Sequence, residues 1–408
     1  MIKTVFALVV GSGSQAVSNS AAALLATAVL PPEERGGMVL ALAVASLVSI
    51  IGGLGTGMSL RVLLPTSSAP ERLLSAYLCI SVAMVAAAGG TAAVISLSLH
   101  GNSAELGIAC GVYSAVLLAN LQLTELRFAI GQFKSGAYWA TAGAVMGFVG
   151  VLVGVGVGVN DSSLLLYQGL GVAAVSLAHA SVLAWDKLLS LKRTGLSEVL
   201  LLLRNGWSPL IWSLGIVVLS KSERLVLGQY ETSDAVAVYA LGVTLAELVR
   251  LVPLAISQLV TRIAASGDSL DKVWRYVVAA TACSAAVGLV ALPTSLFFIR
   301  GFLDPIYQGA IPVMAILLVG EVCMAIYLTT ARALQGIGYA NVTARIGLIV
   351  AVLAVPAYFA AGGAYGVIGI AMTLSSAYGA LGLCAGLVLY RHWRRSEGRL
   401  RATSAYSS

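Results

Sequence analysis

The sequence predicts an all-α protein that crosses a membrane about twelve times, and three observations predict it. Apolar stretches of roughly 20 to 28 residues fill nearly the whole chain, and about 20 helical residues cover a hydrocarbon core. The chain of 408 residues is 59% hydrophobic and only 10% charged, too few charges for a wet surface. The stretches are joined by short connectors, leaving no room for a soluble domain between them. Backbone groups in lipid must be satisfied within their own segment, which makes each stretch a helix.

The spans lie, in order, at about 4–30, 36–62, 72–99, 103–126, 136–159, 162–185, 206–228, 236–262, 273–299, 310–334, 342–361 and 365–390. Pro31, Pro32, Pro65 and Pro70 punctuate the early connectors, because proline cannot donate within a helix. The seventh span is the least regular, with Lys221, Glu223 and Arg224 in its outer part. The apolar run after Lys3 continues to Leu30, longer than a signal peptide, and reads as the first span.

Of the 24 Lys and Arg residues, 19 fall on the side that holds both termini, 4 on the other, and Arg250 within a span. The positive-inside rule then predicts cytoplasmic N- and C-termini. The formal charge of +7 is accounted for by this orientation and by attraction to anionic lipid, so no nucleic-acid partner is implied. The five cysteines read as small buried hydrophobes, and neither they nor the three histidines show metal-ligand spacing, so no metal or cofactor is expected.

The longest connector divides the chain into an N-terminal six-helix lobe (1–185), a cytoplasmic linker (186–205), a C-terminal six-helix lobe (206–390) and a basic tail (391–408). The linker carries an amphipathic run, Leu196–Leu203. Two echoes link the halves. Glu33–Met38 stands against Ser233–Val238, and Arg127–Phe133 against Arg332–Tyr339. Repeats of six spans share one topology, which places a site between them. Gly143 and Gly147, and Gly150, Gly154 and Gly158, recur every fourth residue, as in closely packed membrane helices.

Charged and polar groups within spans are the candidate site, since such groups usually face a wet cavity. Arg250 lies midway along the eighth span with Glu247 one turn before it and Gln258 farther along. The two charges read either as a structural i, i+3 pair or as a cavity wall. Glu321 is mid-span with no basic neighbour on its helix; it could take up protons or couple to an ion, pair across the bundle, or remain a neutral acid. Ser12, Gln15 and Asn19 share a face of the first span. Asn120 sits toward the inner end of the fourth, Glu223 and Arg224 near the outer mouth, and Arg61 and Arg345 near the inner one. No HExxH, GxSxG or nucleotide-loop motif occurs.

Several stretches resemble one family. Ser222-Glu223-Arg224-Leu225-Val226-Leu227-Gly228 and Val238-Tyr239-Ala240-Leu241 are similar to the seventh-to-eighth helix region of bacterial O-antigen and exopolysaccharide flippases. So are Ile306-Tyr307, Leu334-Gln335-Gly336-Ile337-Gly338 and Gly53-Leu54-Gly55-Thr56-Gly57-Met58-Ser59-Leu60-Arg61. These belong to the multidrug/oligosaccharidyl-lipid/polysaccharide superfamily; an acidic–Arg pair often written Asp-Arg there is Glu223-Arg224 here. The resemblance implies two six-helix lobes around a central cavity and alternating access. It further implies a lipid-linked oligosaccharide partner, moved between leaflets of a bacterial inner membrane beside polymerase and glycosyltransferase machinery. No enzymatic activity is implied. A small-molecule exporter of the same superfamily would want more acidic than basic cavity groups. A membrane enzyme of polysaccharide assembly would want a large outer loop, and an inert scaffold would have little reason to carry charges inside its spans.

Overall fold

The computed structural model describes residues 2–99, 103–186, 188, 195–265 and 270–406. Thirteen helices account for nearly all of them. The first lobe holds α1 (Ile2–Val29), α2 (Pro32–Gly52), α3 (Thr56–Leu63), α4 (Pro70–Ser98), α5 (Ala104–Ala129), α6 (Phe133–Val157) and α7 (Asp161–Trp185). The second holds α8 (Leu196–Tyr230), α9 (Ser233–Glu247), α10 (Leu251–Ala265), α11 (Leu270–Phe302), α12 (Ala310–Gly336) and α13 (Ala340–Tyr406). Among the described residues, nine helical stretches are long and apolar enough to cross a membrane. The last of these, Ala340–Arg394, covers two crossings broken at Gly366, which sits at φ 54°. With α1 and α8 the predicted twelve are complete.

Helix starts follow the sequence chemistry. Pro32 and Pro70 occupy first-turn positions of α2 and α4, where the missing N–H costs nothing. Ser103, Asn160 and Thr232 cap α5, α7 and α9 by accepting from backbone N–H groups three residues on. The second span of each lobe is discontinuous. In the first lobe, α2 stops at Gly52 and Gly55, at φ 65°, opens α3; a Cβ at Gly55 would lie 2.1 Å from the Gly206 carbonyl oxygen. In the second, a 3₁₀ turn at Leu248–Arg250 separates α9 from α10. Pro253 explains it, because its ring removes the donor to the Val249 carbonyl.

The echo at the fourth helix of each lobe is a shared helix stop. Gln132 N–H bonds the Arg127 carbonyl across Gly131 (φ 81°), and Tyr339 N–H bonds the Leu334 carbonyl across Gly338 (φ 91°). The two stops match Gly131 with Gly338, so Arg127 corresponds to Leu334 and not to Arg332. The sequence register was off by two residues because it followed the charge, whereas the turn is fixed by glycine in the left-handed region.

The seventh helix starts at Leu196, within the stretch read as linker, because the amphipathic run has a surface to cover. Leu202 and the half-buried Val199 join Leu60, Leu73, Tyr77, Leu126 and Leu183 in a cluster on the first lobe. Beyond Pro209, α8 packs mainly along α13 in the second lobe. The other lobe-to-lobe packing joins α2 to α8 and α9, and α1 to α9 and α10. At the bundle end away from the termini this seam is tight. A Cβ at Gly36 would meet the Ser233 carbonyl oxygen at 1.9 Å, and Leu40 packs on Gly228.

Small residues at the α6–α7 contact behave as expected at Gly147, Gly150 and Gly154, where added Cβ atoms would meet Val172, Tyr167 and Leu164. Gly158 instead follows the end of α6 and touches nothing. The cysteines depart from expectation: Cys110 is buried, but Cys79, Cys283 and Cys384 are exposed on the outside of the bundle. Their apolar setting is lipid-compatible, and hydrophobicity alone does not separate a core position from a lipid-facing one.

Candidate functional site

The break in the eighth crossing positions the most charged part of the membrane interior. Arg250 closes the 3₁₀ turn, and its side chain reaches α12 and the second half of α13. Its Nε donates to Glu321 Oε2 at 2.8 Å and one Nη donates to Glu321 Oε1, a two-pronged pair. The same Nη donates to the Tyr378 hydroxyl at 3.1 Å, and the guanidinium carbon stands 5.3 Å from the Tyr378 ring centre. The other Nη lies 3.7 Å from Glu247 Oε1. Arg250 thus pairs with Glu247 along its own crossing, and Glu321 pairs with it across the bundle. The planar fork of arginine is what permits this bidentate grip.

Accessibility separates the members of this cluster. The Glu321 side chain is 3% exposed, Arg250 16% and Glu247 30%. A carboxylate about midway through a span is held there by the basic groups around it, Arg250 and Lys221, since facing lipid would be costly. By exposure, Glu247 is the open edge of the cluster and Glu321 its sealed floor. Lys221 and Glu223 on α8 lie within electrostatic range of Glu247.

Glu223 and Arg224 lie in the outer part of α8, within two turns of its end at Tyr230, and are buried between helices. Glu223 is fully buried, Arg224 is 9% exposed, and Arg224 Nε lies 3.4 Å from Glu223 Oε1. Arg35, at the start of α2, is also buried, and its Nε donates to Thr27 Oγ1 at 3.0 Å. Sequence reading missed Arg35 because it stands at a span's edge. The signal was a basic residue directly followed by the close-packing pair Gly36-Gly37.

Other candidates separate from the cluster. Arg61 on α3 grips Glu125 on α5 with two donors, and its guanidinium carbon lies 4.3 Å from the Phe128 ring centre. Asn120 points into the first lobe against Gly143 and is buried there, so it does not line the seam. The glycine across from it leaves the space its amide fills. Arg345 is exposed on the first turns of α13. Asn19 is exposed and Gln15 half-buried on α1, the helix that packs along α9 and α10. The side chains of Ser12 and Gln258 lie outside the described ones. Tyr378, which completes the Arg250 cage, carried no sequence signal beyond a hydroxyl in an apolar span.

No protein-family model and no curated protein matches the sequence. Solved structures do match its shape over nearly the full length. A lipid II flippase, MurJ, in an inward closed conformation superposes with a TM-score of 0.71 at 14% identity, covering 94% of this chain and 87% of that one. An inward-facing multidrug resistance MATE transporter of the MOP superfamily gives 0.68 at 17% identity, covering 96% of each chain. An outward-facing form of such a transporter gives 0.63 at 15% identity, covering 97% and 96%. The chain shares their fold. The two six-helix lobes about a central cavity, expected from the sequence, are the architecture of that fold.

Proposed function

We propose that this chain translocates an anionic lipid-linked oligosaccharide, an undecaprenyl-diphosphate glycan, from the inner to the outer leaflet of a bacterial cytoplasmic membrane. The observation that carries this reading is the Arg250 cluster, a set of membrane-interior charges at the broken crossing with Glu247 as its most accessible member. The fold it shares with a lipid II flippase supports it, as do the sequence motifs of polysaccharide flippases. No covalent chemistry is required of any residue, and the polysaccharide polymerase and glycosyltransferases would act before and after it.

The arrangement suggests a sequence of events. Arg250 is held by a carboxylate whose two oxygens occupy the positions that two phosphate oxygens would take. A diphosphate entering past Glu247 displaces Glu321 from the guanidinium. The freed carboxylate, buried and without its counter-ion, then takes up a proton from water along the path by which the diphosphate entered, since a buried unpaired charge is unfavourable. Substrate binding is thereby tied to protonation, and release reverses both. With Arg250, Lys221 and Arg224 make three positive charges along the route, matched in number by Glu223, Glu247 and Glu321.

A local excess of carboxylate at Arg250 favours a second reading, export of a small organic cation by a multidrug-type transporter. Two carboxylates flank one guanidinium, and a cation could sit at Glu247. The two readings diverge in one experiment. Arg250→Ala should accumulate in the membrane yet fail to export glycan, and Arg250→Lys should keep partial activity, with charge but no planar fork. Wild-type glycan export by Arg250→Ala, or efflux of a labelled organic cation that survives in Arg250→Ala, removes the flippase reading. Orientation is tested separately: reporter fusions after Arg395 and near Asn160 should report opposite sides, the former cytoplasmic.

A further inference from the structure

A second polar feature lies far from the seam, on the flank of the second lobe at the bundle end that holds the termini. Here the first turns of α11 meet the last membrane turns of α13. A groove of about 400 Å³ is lined by Asp271, Trp274, Arg275, Tyr390 and Trp393. It adjoins a depression of about 310 Å³ lined by Lys272, Arg275, Tyr276 and Ala279. The helix α11 packs on α12, α10 and α9, all of its own lobe, so its remaining face looks outward to lipid.

The groove is held in shape by polar bonds. Trp393 Nε1 donates to Asp271 Oδ1 at 2.8 Å, fastening the end of α13 to the start of α11. Arg394 Nε donates to the Tyr390 hydroxyl at 2.9 Å, and the Tyr390 and Trp393 rings stand 5.6 Å apart. Aromatic rings with one polar edge belong at the boundary between headgroups and acyl chains. Arg275, Ala279 and Cys283 follow at four-residue intervals on the exposed face of α11, a channel of small side chains leading from the charge into the apolar zone.

We propose that this groove is a binding site for an anionic phospholipid of the surrounding leaflet, phosphatidylglycerol in particular. Lys272 and Arg275 take the headgroup phosphate. Asp271, one oxygen engaged by Trp393, accepts from a headgroup hydroxyl with the other. One acyl chain runs along Ala279 and Cys283. Among the described lining residues Lys272 and Arg275 stand beside the single carboxylate of Asp271, a balance that selects an anionic over a zwitterionic headgroup.

The test uses the full chain in detergent micelles, in a variant that keeps only Trp274 and Trp393, the other four tryptophans being changed to Phe. Brominated phosphatidylglycerol should quench the remaining fluorescence at a mole fraction about five-fold lower than brominated phosphatidylcholine or phosphatidylethanolamine. Lys272→Gln together with Arg275→Gln should bring the three lipids within about two-fold of one another. Equal quenching by all three in the parent, preference for phosphatidylethanolamine, or an anionic preference that survives the double substitution would each overturn the proposal. Native mass spectrometry of the chain with all its tryptophans gives the same answer without that background. It should retain phosphatidylglycerol in preference to phosphatidylcholine, and the double substitution should lose that preference; retention unchanged by the double substitution would also overturn the site.

Discussion

Each lobe carries a two-pronged arginine–glutamate pair between its second and fourth crossings, and the two pairs differ mainly in depth. Arg61 and Glu125 sit near the terminal end, Glu125 about four residues or ~6 Å before the end of α5. Glu321 lies about fifteen residues, ~22 Å, before the end of α12. Arg250 closes the break in its crossing, Arg61 follows its own by two turns, and both lie against an aromatic ring. The side chains of the shallow pair are 29% and 23% exposed, those of the deep pair 16% and 3%. The same chemistry thus serves two purposes. Near the interface it is a strut with little net energy. In the interior, removing either partner strands a buried charge.

Single substitutions in the two pairs measure that difference. Glu321→Ala should destabilise by about 3–5 kcal/mol, the range for breaking a buried pair, read as thermal unfolding in detergent, and should abolish transport. Arg250→Met with Glu321→Met should recover most of that stability but none of the transport; recovered transport would show the deep pair to be only structural. Gly55→Ala comes next, at about 1–3 kcal/mol, because its backbone conformation is strained for any side chain and the Gly206 carbonyl blocks the Cβ. An unaltered unfolding temperature would mean that the α3–α8 contact yields freely. Glu125→Gln should cost at most about 1 kcal/mol and leave transport within two-fold of wild type. A loss as large as that of Glu321→Ala would erase the contrast between the lobes.

The sequence revealed crossings far better than partnerships. Hydropathy located the spans because length and apolarity are local properties, and it also exposed Arg250, Glu247 and Glu321 as misfits within them. It could not join Arg250 to Glu321, which lie 71 residues apart, nor to Tyr378, 128 apart. Such pairings depend on which faces the helices turn toward each other, and apolar crossings with weak periodicity do not declare their faces. The same blindness placed Asn120 in the cavity and the cysteines in the core. The second-crossing breaks were legible in principle, through Gly52-Gly53 and Pro253, but the apolar runs continue through both and mask them.

The path of α8 bears on how the protein is made. Its first turns supply Leu202 to the cluster formed by Leu60, Leu73, Leu126 and Leu183, so the first lobe cannot complete its packing from its own six crossings. That cluster therefore closes only after the chain has been made to about residue 202, whereas the larger core of the first lobe is built from its own helices. The start of the second lobe is then the final piece of the first, and it leaves the second lobe tethered at its first helix before any of its other crossings exist.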